Sequence, residues 1–434
     1  FAGNSVPDGA DPLACAYAGH QFGHYVPRLG DGRAILPGEV ENARGEAWEL
    51  QLKGAGLTAY SRRGDGRAVL RSSIREYLCS EAMHGLGIPT TRALCLFGSS
   101  EPVRRERIEP GAVLVRVAPS HVRFGSFEYF YYRGEGEHLQ TLADYLIDRD
   151  YPELAQEPEP YLALFREVAQ RTAELIARWQ LVGFAHGVMN TDNMSILGLT
   201  LDYGPFGFMD AYDPGYICNS SDHTGRYAFD RQPSIGLWNV SCLGQALLPL
   251  LDEEPEAAAD KARAVLDEYE PAFYRAYTEG VRRKLGLREA RAEDGALAAR
   301  FLDLLAEAGA DYTNAFRALG SFDTASDADN AALKARLGHP SAFDAWAAEY
   351  RARLMAERTP AGERRQRMQR ANPKYILRNY LAQTAIEHAE QGDYGEIDRL
   401  LRLLQDPFAE QPEMEAYAAP PPEWGRGLAL SCSS

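Results

Sequence analysis

The sequence predicts an α+β protein in which a small α/β lobe is followed by a larger, mostly helical lobe. The first 130 or so residues are rich in glycine and carry short runs in which apolar and polar residues alternate, as in strands. The apolar period becomes helical near Thr141, and from Ile235 to about Gln405 the pattern stays helical. The expected division is an N-lobe over 1–135, a C-lobe over 136–407, and a C-terminal linker and tail over 408–434.

Three strands are expected in the N-lobe. In the segment 48–53 apolar residues alternate with polar ones, which is the period of a half-buried strand, and Gly54 ends the run. Further strands are expected at 93–97 and 112–117. Lys53, the last residue of the first strand, is the only lysine before Lys261, whereas arginine carries almost all the other positive charge of the chain. A lone lysine suits a place where a compact ammonium is needed, although chance at a strand end explains it equally well.

One helix is expected between these strands. Ser73 and Glu76 have the spacing of a capping box, which predicts that the helix begins near Ser73. Apolar residues continue the helical period until Gly85 and Gly87, which are expected to end it.

The C-lobe is expected to open with one long amphipathic helix over 161–181. A loop with two short strands follows over 185–208, where His, Gly, Asn and Asp interrupt the helical pattern. The aromatic run 127–132 is more typical of strand packing than of a stacking platform. The proline-rich stretch 408–424 predicts a loop or linker.

Composition excludes several classes of function. The chain of 434 residues has 46 Lys and Arg against 62 Asp and Glu, a net charge of -16, so an extended nucleic-acid-binding surface is not expected. No apolar run approaches the length of a membrane span, so no membrane association is expected. The six cysteines form no CxxC pair, which favours a reducing compartment over a disulfide scaffold or a structural zinc site.

The tetrapeptide Gly-Asp-Gly-Arg occurs twice, at 30–33 and 64–67, on either side of the strand that ends at Lys53. Glycine lets backbone amides approach an anion, and arginine adds a forked donor for phosphate. The two copies therefore predict a polyphosphate site, and a cluster of arginines supports it: Arg62, Arg63, Arg67, Arg71 and Arg75. The alternative is a pair of turns with solvated arginines on a helix face.

The strongest pattern is His-Gly-Val-Met-Asn-Thr-Asp-Asn at 186–193, followed by Asp-Tyr-Gly at 202–204. Aligned with the catalytic loop and the Asp-Phe-Gly motif of protein kinases, it makes Asn193 and Asp202 metal ligands. Lys53 and Glu76 then take the places of the strand lysine and the helix glutamate of the kinase ion pair. The order of these four residues predicts a protein-kinase-like two-lobed fold, and their oxygen ligands suit Mg²⁺ or Mn²⁺.

One position departs from the kinase pattern. Val188 stands where a kinase has its catalytic aspartate, and valine cannot accept a proton. Asp192 is the nearest replacement for a general base that activates a hydroxyl nucleophile. The alternative role for Asp192 is a loop or helix cap. His186 is expected to orient the loop by hydrogen bonding.

Three segments carry a resemblance to a known family: YAGHQFGHYVPRLGDGRAILPGEV, ELQLKGAGLTAYSRRGDGRAVLRSSIREYLCSEAMHGLGIPTTRAL and HGVMNTDNMSILGLTLDYGPFGFMDAYDPGYICNSSDH. They resemble the selenoprotein O family, whose bacterial members usually have Cys in place of selenocysteine. The resemblance runs from about Ala14 to the terminal Ser-Cys-Ser-Ser. It implies a protein-kinase-like fold that binds ATP in a flipped orientation and transfers AMP to Ser, Thr or Tyr hydroxyls of proteins.

The resemblance also implies a role for individual residues. Asp192 matches the catalytic base, Asn193 and Asp202 match the metal ligands, and Lys53 and Glu76 match the ion pair. The positions that match nucleotide contacts are Gly30, Gly32, Arg33, Lys53, Asp65, Gly66, Arg116, Arg123 and Asp202. Cys432 matches the redox-active position of the family and Cys218 its disulfide partner, which implies activity coupled to oxidation.

Two other functions stay open at this point. The same cations could serve ordinary phosphoryl transfer from ATP, as in a kinase, or the chain could be a catalytically silent nucleotide-binding scaffold. The resemblance and the sparse cysteines together favour the bacterial cytoplasm. Because the chain begins with Phe1 instead of Met, we expect part of the natural N-terminus to be absent, and this location depends on what that part holds.

Overall fold

The computed structural model of the chain describes residues 4–6, 8–325, 330–337 and 340–431, and it has a mixed α/β architecture. Within these residues the strands, numbered β1 to β9, are Gly19–Gln21, His24–Val26, Ala34–Glu41, Ala47–Lys53, Ala68–Val69, Arg92–Arg104, Ile108–Ala118, Phe184–Ala185 and Gly207–Phe208. The helices, numbered α1 to α13, are Leu70–Gly85, Phe124–Tyr132, Gly136–Asp150, Pro160–Val182, Gln232–Leu251, Pro255–Lys284, Asp294–Ala308, Tyr312–Leu319, Ala331–Leu337, Pro340–Glu357, Ala361–Ala371, Asn379–Glu390 and Gly395–Gln405.

An antiparallel sheet organises the first part of the chain. Among the described residues it has five strands, in which β7 pairs with β4, β5 and β6, and β4 pairs in turn with β3. The register places Gln51 opposite Arg116 and Lys53 opposite Leu114. Because directly opposed residues share a face and side chains alternate along a strand, Gln51, Lys53 and Arg116 point to the same side of the sheet.

The strand predicted over 48–53 is present as β4, but its polar face is the more deeply buried one. Gln51 is fully buried, and Glu49 and Lys53 are each 8% exposed, whereas Trp48 and Leu50 are only half-buried. A buried polar row requires partners for every polar group. The polar face of β4 therefore points to an internal network instead of to solvent.

Helix α1 begins at Leu70, directly after β5, and ends at Gly85. The predicted end is confirmed, but the predicted capping box is wrong, because Ser73 lies inside the helix, buried, with a hydroxyl that has no hydrogen-bond partner. Val69 at the N-cap is extended and gives no side-chain cap. The short strand β5 leads straight into the helix, so Glu76 is placed two turns along it and faces the sheet.

The predicted long helix over 161–181 is confirmed as α4, which packs against α5 and α6 in the main hydrophobic core. The aromatic run 127–132 is part of α2 and not of a strand, so that prediction was wrong. Phe124 and Phe127 of α2 are fully buried in the same core. A short apolar run does not distinguish a buried helix from a strand, and here the packing of the rest of the chain decides.

Helix α5 and the turn before it form a segment, Phe229–Leu251, that is long and apolar enough to cross a membrane by length and composition alone. Half of its most apolar window is buried in the protein. Gln232 and Asn239 in this segment donate to the carbonyls of Phe184 and Met189 at 2.9 and 3.0 Å. These contacts are those of a core helix that supports the neighbouring loop.

The loop with two short strands predicted over 185–208 is confirmed: β8 pairs with β9, and Thr191–Asn193 form one turn of 3-10 helix between them. The stretch 408–424 is not a free linker. Phe408 and Met414 pack against the main core, and further along Leu430 forms a parallel bridge with Asn219.

Candidate active site

The sheet, the hairpin β1–β2 and the loop between β8 and β9 surround one cavity of about 680 Å³. It brings together residues that are far apart in sequence, including both Gly-Asp-Gly-Arg segments. The residues predicted for catalysis, nucleotide binding and metal binding that line it are Gly30, Gly32, Arg33, Lys53, Asp65, Gly66, Arg116, Arg123, Asp192, Asn193 and Asp202. Val188 lines it as well.

Lys53 forms the predicted ion pair with Glu76, which lies behind the cavity wall. The Lys53 Nζ to Glu76 Oε2 distance is 2.5 Å, and Glu76 is 2% exposed. The other carboxylate oxygen of Glu76 accepts from Nε of Arg116. Burial and the nearby Arg116 lower the pKa of Lys53 to about 8, even though Glu76 acts in the opposite direction. Glu76 thus fixes two cations at the cavity wall.

Asp202 lies in the loop between β8 and β9 and pairs with two arginines. Its Oδ1 accepts from Nη2 of Arg116 at 2.5 Å, and its Oδ2 accepts from Nη1 of Arg123. Burial alone would raise the pKa of Asp202, but Arg116 and Arg123 outweigh it and hold the pKa well below its usual range. Asp202 is therefore an anionic oxygen donor at all physiological pH values.

Asn193 is oriented so that its oxygen is available. Its Nδ2 donates to the carbonyl of Val188 at 3.0 Å, which leaves Oδ1 as the free acceptor of the amide. An amide oxygen and an ionised carboxylate on one cavity wall are the ligand chemistry that Mg²⁺ and Mn²⁺ prefer. The residues present fit a divalent cation.

Asp192 has the properties of a general base. It is 6% exposed, its Oδ2 accepts from Nε2 of Gln21 at 3.2 Å, and its buried Oδ1 has no hydrogen-bond partner within the described part of the chain. Burial raises its pKa to about 6, against the effects of Gln21 and Arg123. A carboxylate with this pKa is ionised at neutral pH and still accepts a proton readily.

The hairpin β1–β2 holds the loop that carries Asp192. The backbone amide of His20 donates to Thr191 Oγ1 at 2.7 Å, and Thr191 Oγ1 donates to the buried Glu128 at 2.6 Å. A Cβ atom on Gly19 would lie 2.6 Å from Asp192 Oδ1, so only glycine permits this close approach. His186 supports the same loop, since its Nε2 lies 2.9 Å from the carbonyl of Leu201.

The two glycine-rich segments also line the cavity. Asp31 in the first segment accepts from Gln51 Nε2 at 3.2 Å, which ties it to the polar row of β4. Asp65 in the second segment pairs with Arg105 at 2.7 Å. Gly66 has φ +69°, and a Cβ there would meet the Gly56 carbonyl at 2.1 Å, so the second loop needs glycine at this point.

The arginine cluster divides into two groups. Arg62 and Arg67 line the cavity, as the polyphosphate prediction requires, whereas Arg63, Arg71 and Arg75 do not, and Arg63 is exposed. Arg71 instead forms a two-pronged pair with Glu109 at 2.9 Å, and Arg75 is buried and donates to the Phe206 carbonyl at 2.8 Å. These two were wrongly assigned, because their helix turns that face towards the sheet edge and the helical core.

Tyr17, Gln21 and Arg105 are among the further lining residues that no prediction named. Arg123 lies over the ring of Tyr17, with 4.7 Å from guanidinium carbon to ring centroid. Gln21 and Tyr17 belong to the first segment of the family resemblance, which is the only signal that could have drawn attention to them. Arg105 follows no motif.

Cys218 is buried, and its Sγ lies 3.5 Å from the Ala185 carbonyl. Burial raises the pKa of this thiol to about 12. The tail approaches it, because the backbone amide of Ser220 donates to the Leu430 carbonyl at 2.7 Å. Cys432 lies outside the described residues.

Cations for phosphate, oxygen ligands for a divalent ion and a buried carboxylate in one cavity are the parts of a nucleotide-dependent transferase. The chain belongs to the SelO family: the sequence model described as "Protein adenylyltransferase SelO" matches residues 2–405.

Relatives similar to this chain carry the name "Protein nucleotidyltransferase YdiU". The relative from Myxococcus xanthus (strain DK1622) is 60% identical over 426 residues, which cover 98% of this chain and 86% of that protein. The relative from Thioalkalivibrio sulfidiphilus (strain HL-EbGR7) is 60% identical over 435 residues, covering 100% of this chain and 88% of its own length. The relative from Thiobacillus denitrificans (strain ATCC 25259 / T1) is 58% identical, with the same two shares, over 436 residues.

Proposed function

We propose that this cavity transfers AMP from ATP to the hydroxyl of a Ser, Thr or Tyr residue of a protein, with Asp192 as the general base. The family and the named relatives make the chain a protein adenylyltransferase. The assignment of the chemistry to this cavity depends above all on one observation: Asp192, whose buried Oδ1 has no hydrogen-bond partner among the described residues, lines the same cavity as Lys53, Arg116 and Arg123.

In the proposed reaction, the hydroxyl oxygen forms a bond to the α-phosphorus while the bond from that phosphorus to the bridging oxygen of pyrophosphate breaks. The hydroxyl proton passes to Asp192, and pyrophosphate leaves with the electron pair of the broken bond. Lys53, Arg116 and Arg123 offset the negative charge that accumulates on the leaving group. Most of the catalytic effect is positioning and electrostatic stabilisation.

Asn193 Oδ1 and Asp202 would hold the divalent ion, for which Mg²⁺ and Mn²⁺ are the candidates. An ion bound there would supply positive charge to the phosphate oxygens. Asp202 also orients Arg116 and Arg123, so its carboxylate serves the ion and the two arginines together.

We further propose a protein-kinase-like two-lobed fold. It is supported by a strand lysine paired with a helix glutamate, and by a loop that carries Asn193 nine residues before Asp202. In this register Val188, which is 9% exposed, occupies the place of the kinase base. Valine there speaks against ordinary phosphoryl transfer.

The transfer is tested with ATP labelled on either the α- or the γ-phosphate, together with the intact mass of the modified protein. We expect label from the α-phosphate and a mass gain of one AMP group per site. Label from the γ-phosphate with the gain of one phosphate would identify a kinase. Nucleotide binding without any labelling would identify a scaffold.

Redox control is a separate proposal for the tail. Leu430 forms a bridge with Asn219, the residue after Cys218, which supports a disulfide between Cys218 and Cys432. Activity and free-thiol content of the wild type and Cys432→Ala should respond differently to oxidant and reductant, and identical responses would remove the proposal.

The low cysteine content supports a reducing compartment, for which we propose the bacterial cytoplasm.

A further inference from the structure

A second cavity of about 680 Å³ lies in the helical part of the molecule and shares no lining residue with the first. It is formed where α4, α6 and α11 end, beside the turn that follows α1. Five basic side chains line it, and among its described lining residues there is no carboxylate. The five are Arg178, Arg283, Lys284, Arg367 and Arg370. We call this space the helical cavity.

Lys284 is a buried cation in the lining of the helical cavity. It is 3% exposed, and its Nζ lies 4.1 Å from the ring centroid of Phe316 and 5.1 Å from that of Tyr312. Among the described residues it has no ion-pair partner and no hydrogen bond from its ammonium. Burial lowers its pKa to about 7, which is the behaviour of an ammonium whose charge is not compensated.

The surrounding arginines are also available to a ligand. Arg367 donates through Nη2 to the Leu287 carbonyl at 3.0 Å, but its buried Nη1 has no hydrogen-bond partner among the described residues. Arg178 and Arg370 are exposed, and within the described part of the chain neither has an ion pair or a hydrogen bond from its side chain. Only Arg283 is paired, with Glu279 one helical turn away on the surface.

Neutralisation of helix dipoles explains part of this cluster. Cations are favoured in the last turn of a helix, and α6 and α11 both end beside the cavity with basic residues there. That effect favours exposed cations near the free carbonyls. It does not explain an ammonium that is buried, makes no hydrogen bond and contacts two aromatic rings, because removing a charge from water requires compensation.

We propose that the helical cavity is a second binding site for a phosphate ester of nucleotide size. Its phosphate groups would contact Lys284, Arg367 and the two exposed arginines, whose forks suit phosphate oxygens. Leu86, Ile88 and Phe408 line the rest of the cavity and suit an apolar ring system. The volume equals that of the first cavity, so a nucleotide fits by size. This site is independent of the transfer reaction.

Equilibrium dialysis of the full chain against labelled ATP tests the proposal, with inorganic pyrophosphate as a second probe. The wild type should bind two ATP molecules per chain. Lys284→Met should bind one, because methionine keeps the volume without the charge. Arg178→Gln with Arg370→Gln should weaken the second site at least tenfold. Arg275→Gln with Arg402→Gln, which removes two exposed arginines outside either cavity, should retain both sites.

The two probes show whether the site recognises phosphate groups alone or the whole nucleotide. If pyrophosphate fills the second site as well as ATP does, the phosphate groups alone are recognised; if only ATP does, the apolar lining contributes. One ATP per chain in the wild type, with no additional pyrophosphate, would overturn the proposal. So would a second site that persists unchanged in Lys284→Met and in the double arginine variant. Binding of an acidic peptide in place of both probes would show a protein-docking surface instead.

Discussion

The two cavities have the same volume and are both rich in cations, but they differ in what holds those cations. In the first cavity Glu76 and Asp202 bind Lys53, Arg116 and Arg123 directly. In the helical cavity no described lining residue is acidic, and the Lys284 ammonium lies over two aromatic rings. Both lysines have a lowered pKa, to about 8 for Lys53 and about 7 for Lys284.

This difference indicates that positive charge serves catalysis in the first cavity and ligand binding in the helical cavity. Carboxylates fix the cations of the first cavity before any ligand arrives, and such preorganisation is what stabilises a transition state. Apart from Arg283, which pairs with Glu279, the cations of the helical cavity have no carboxylate partner among the described residues, so a bound anion would compensate their charge. Such a site suits binding more than catalysis.

The largest expected effect comes from Asp192, the proposed base of the first cavity. Asp192→Asn keeps the size of the side chain but cannot accept the hydroxyl proton, so labelling from α-labelled ATP should fall by roughly 10² to 10⁴. ATP binding should persist, because Asp192 contacts the cation cluster through its backbone carbonyl, which accepts from Arg123 at 2.9 Å and is unchanged in the variant. If the variant labels at the full rate, Asp192 is not the base.

A smaller loss is expected when the position of the same base is changed. Gly19→Ala places a Cβ atom 2.6 Å from Asp192 Oδ1 and must displace the carboxylate. A misplacement of about 1 Å costs about 10² in rate. Gly136→Ala, where a Cβ meets no atom within 4 Å, is the matched control and should keep the wild-type rate. If the two variants have equal rates, the position of Asp192 does not depend on the close approach of Gly19.

In the helical cavity, we expect substitution of Lys284 to change the stability of the protein and not its activity. Lys284→Met should raise the free energy of unfolding by about 1 to 4 kcal/mol at pH 7, since it removes a buried cation without a carboxylate partner. The folded pKa of Lys284 is lowered, so the unfolded chain binds more protons above pH 7, and wild-type stability rises with pH in that range. The gain should therefore shrink as the pH increases from 7 towards 10.

Urea unfolding at several pH values measures this gain. Lys334→Met, which removes a half-buried lysine paired with Asp344, serves as the control and should give no gain. A loss of stability in Lys284→Met at pH 7 would show that the ammonium already has a compensating partner.

The smallest effect concerns the pH dependence of the first cavity. Asp192 must be ionised and Lys53 protonated, so kcat/KM should rise through about pH 6 and fall above about pH 8. The hydrogen bond from Gln21 favours the ionised form of Asp192. Gln21→Ala should therefore move the acidic limb to higher pH, by less than about one unit. If the acidic limb of the pH profile does not move, a group other than Asp192 controls that limb.

Residues on local motifs were predictable from the sequence. Asn193 and Asp202 flank one short loop, and Lys53 ends a strand with a clear period, so spacing alone located them. The structure places these residues in one cavity, although their roles stay predictions. Gln21 lies 171 residues before Asp192, and no local pattern connects the two.

The wrong predictions share one cause, which is packing across the chain. The polar face of β4 has the pattern of a solvated strand, yet Gln51 is fully buried because Asp31 and Arg116 pair with it. Ser73 has the spacing of a cap, but β5 leads directly into α1. Local preferences give way wherever distant partners satisfy the polar groups. The helical cavity was not predicted, because its five basic residues come from three helices.

A crystal structure of the chain with a slowly reacting ATP analogue and Mg²⁺ tests the central claim most directly. We expect the triphosphate against Lys53, Arg116 and Arg123, the ion between Asn193 and Asp202, and the α-phosphorus as the phosphorus atom nearest to Asp192. A γ-phosphorus nearest to Asp192, or a nucleotide bound away from these side chains, would contradict the account.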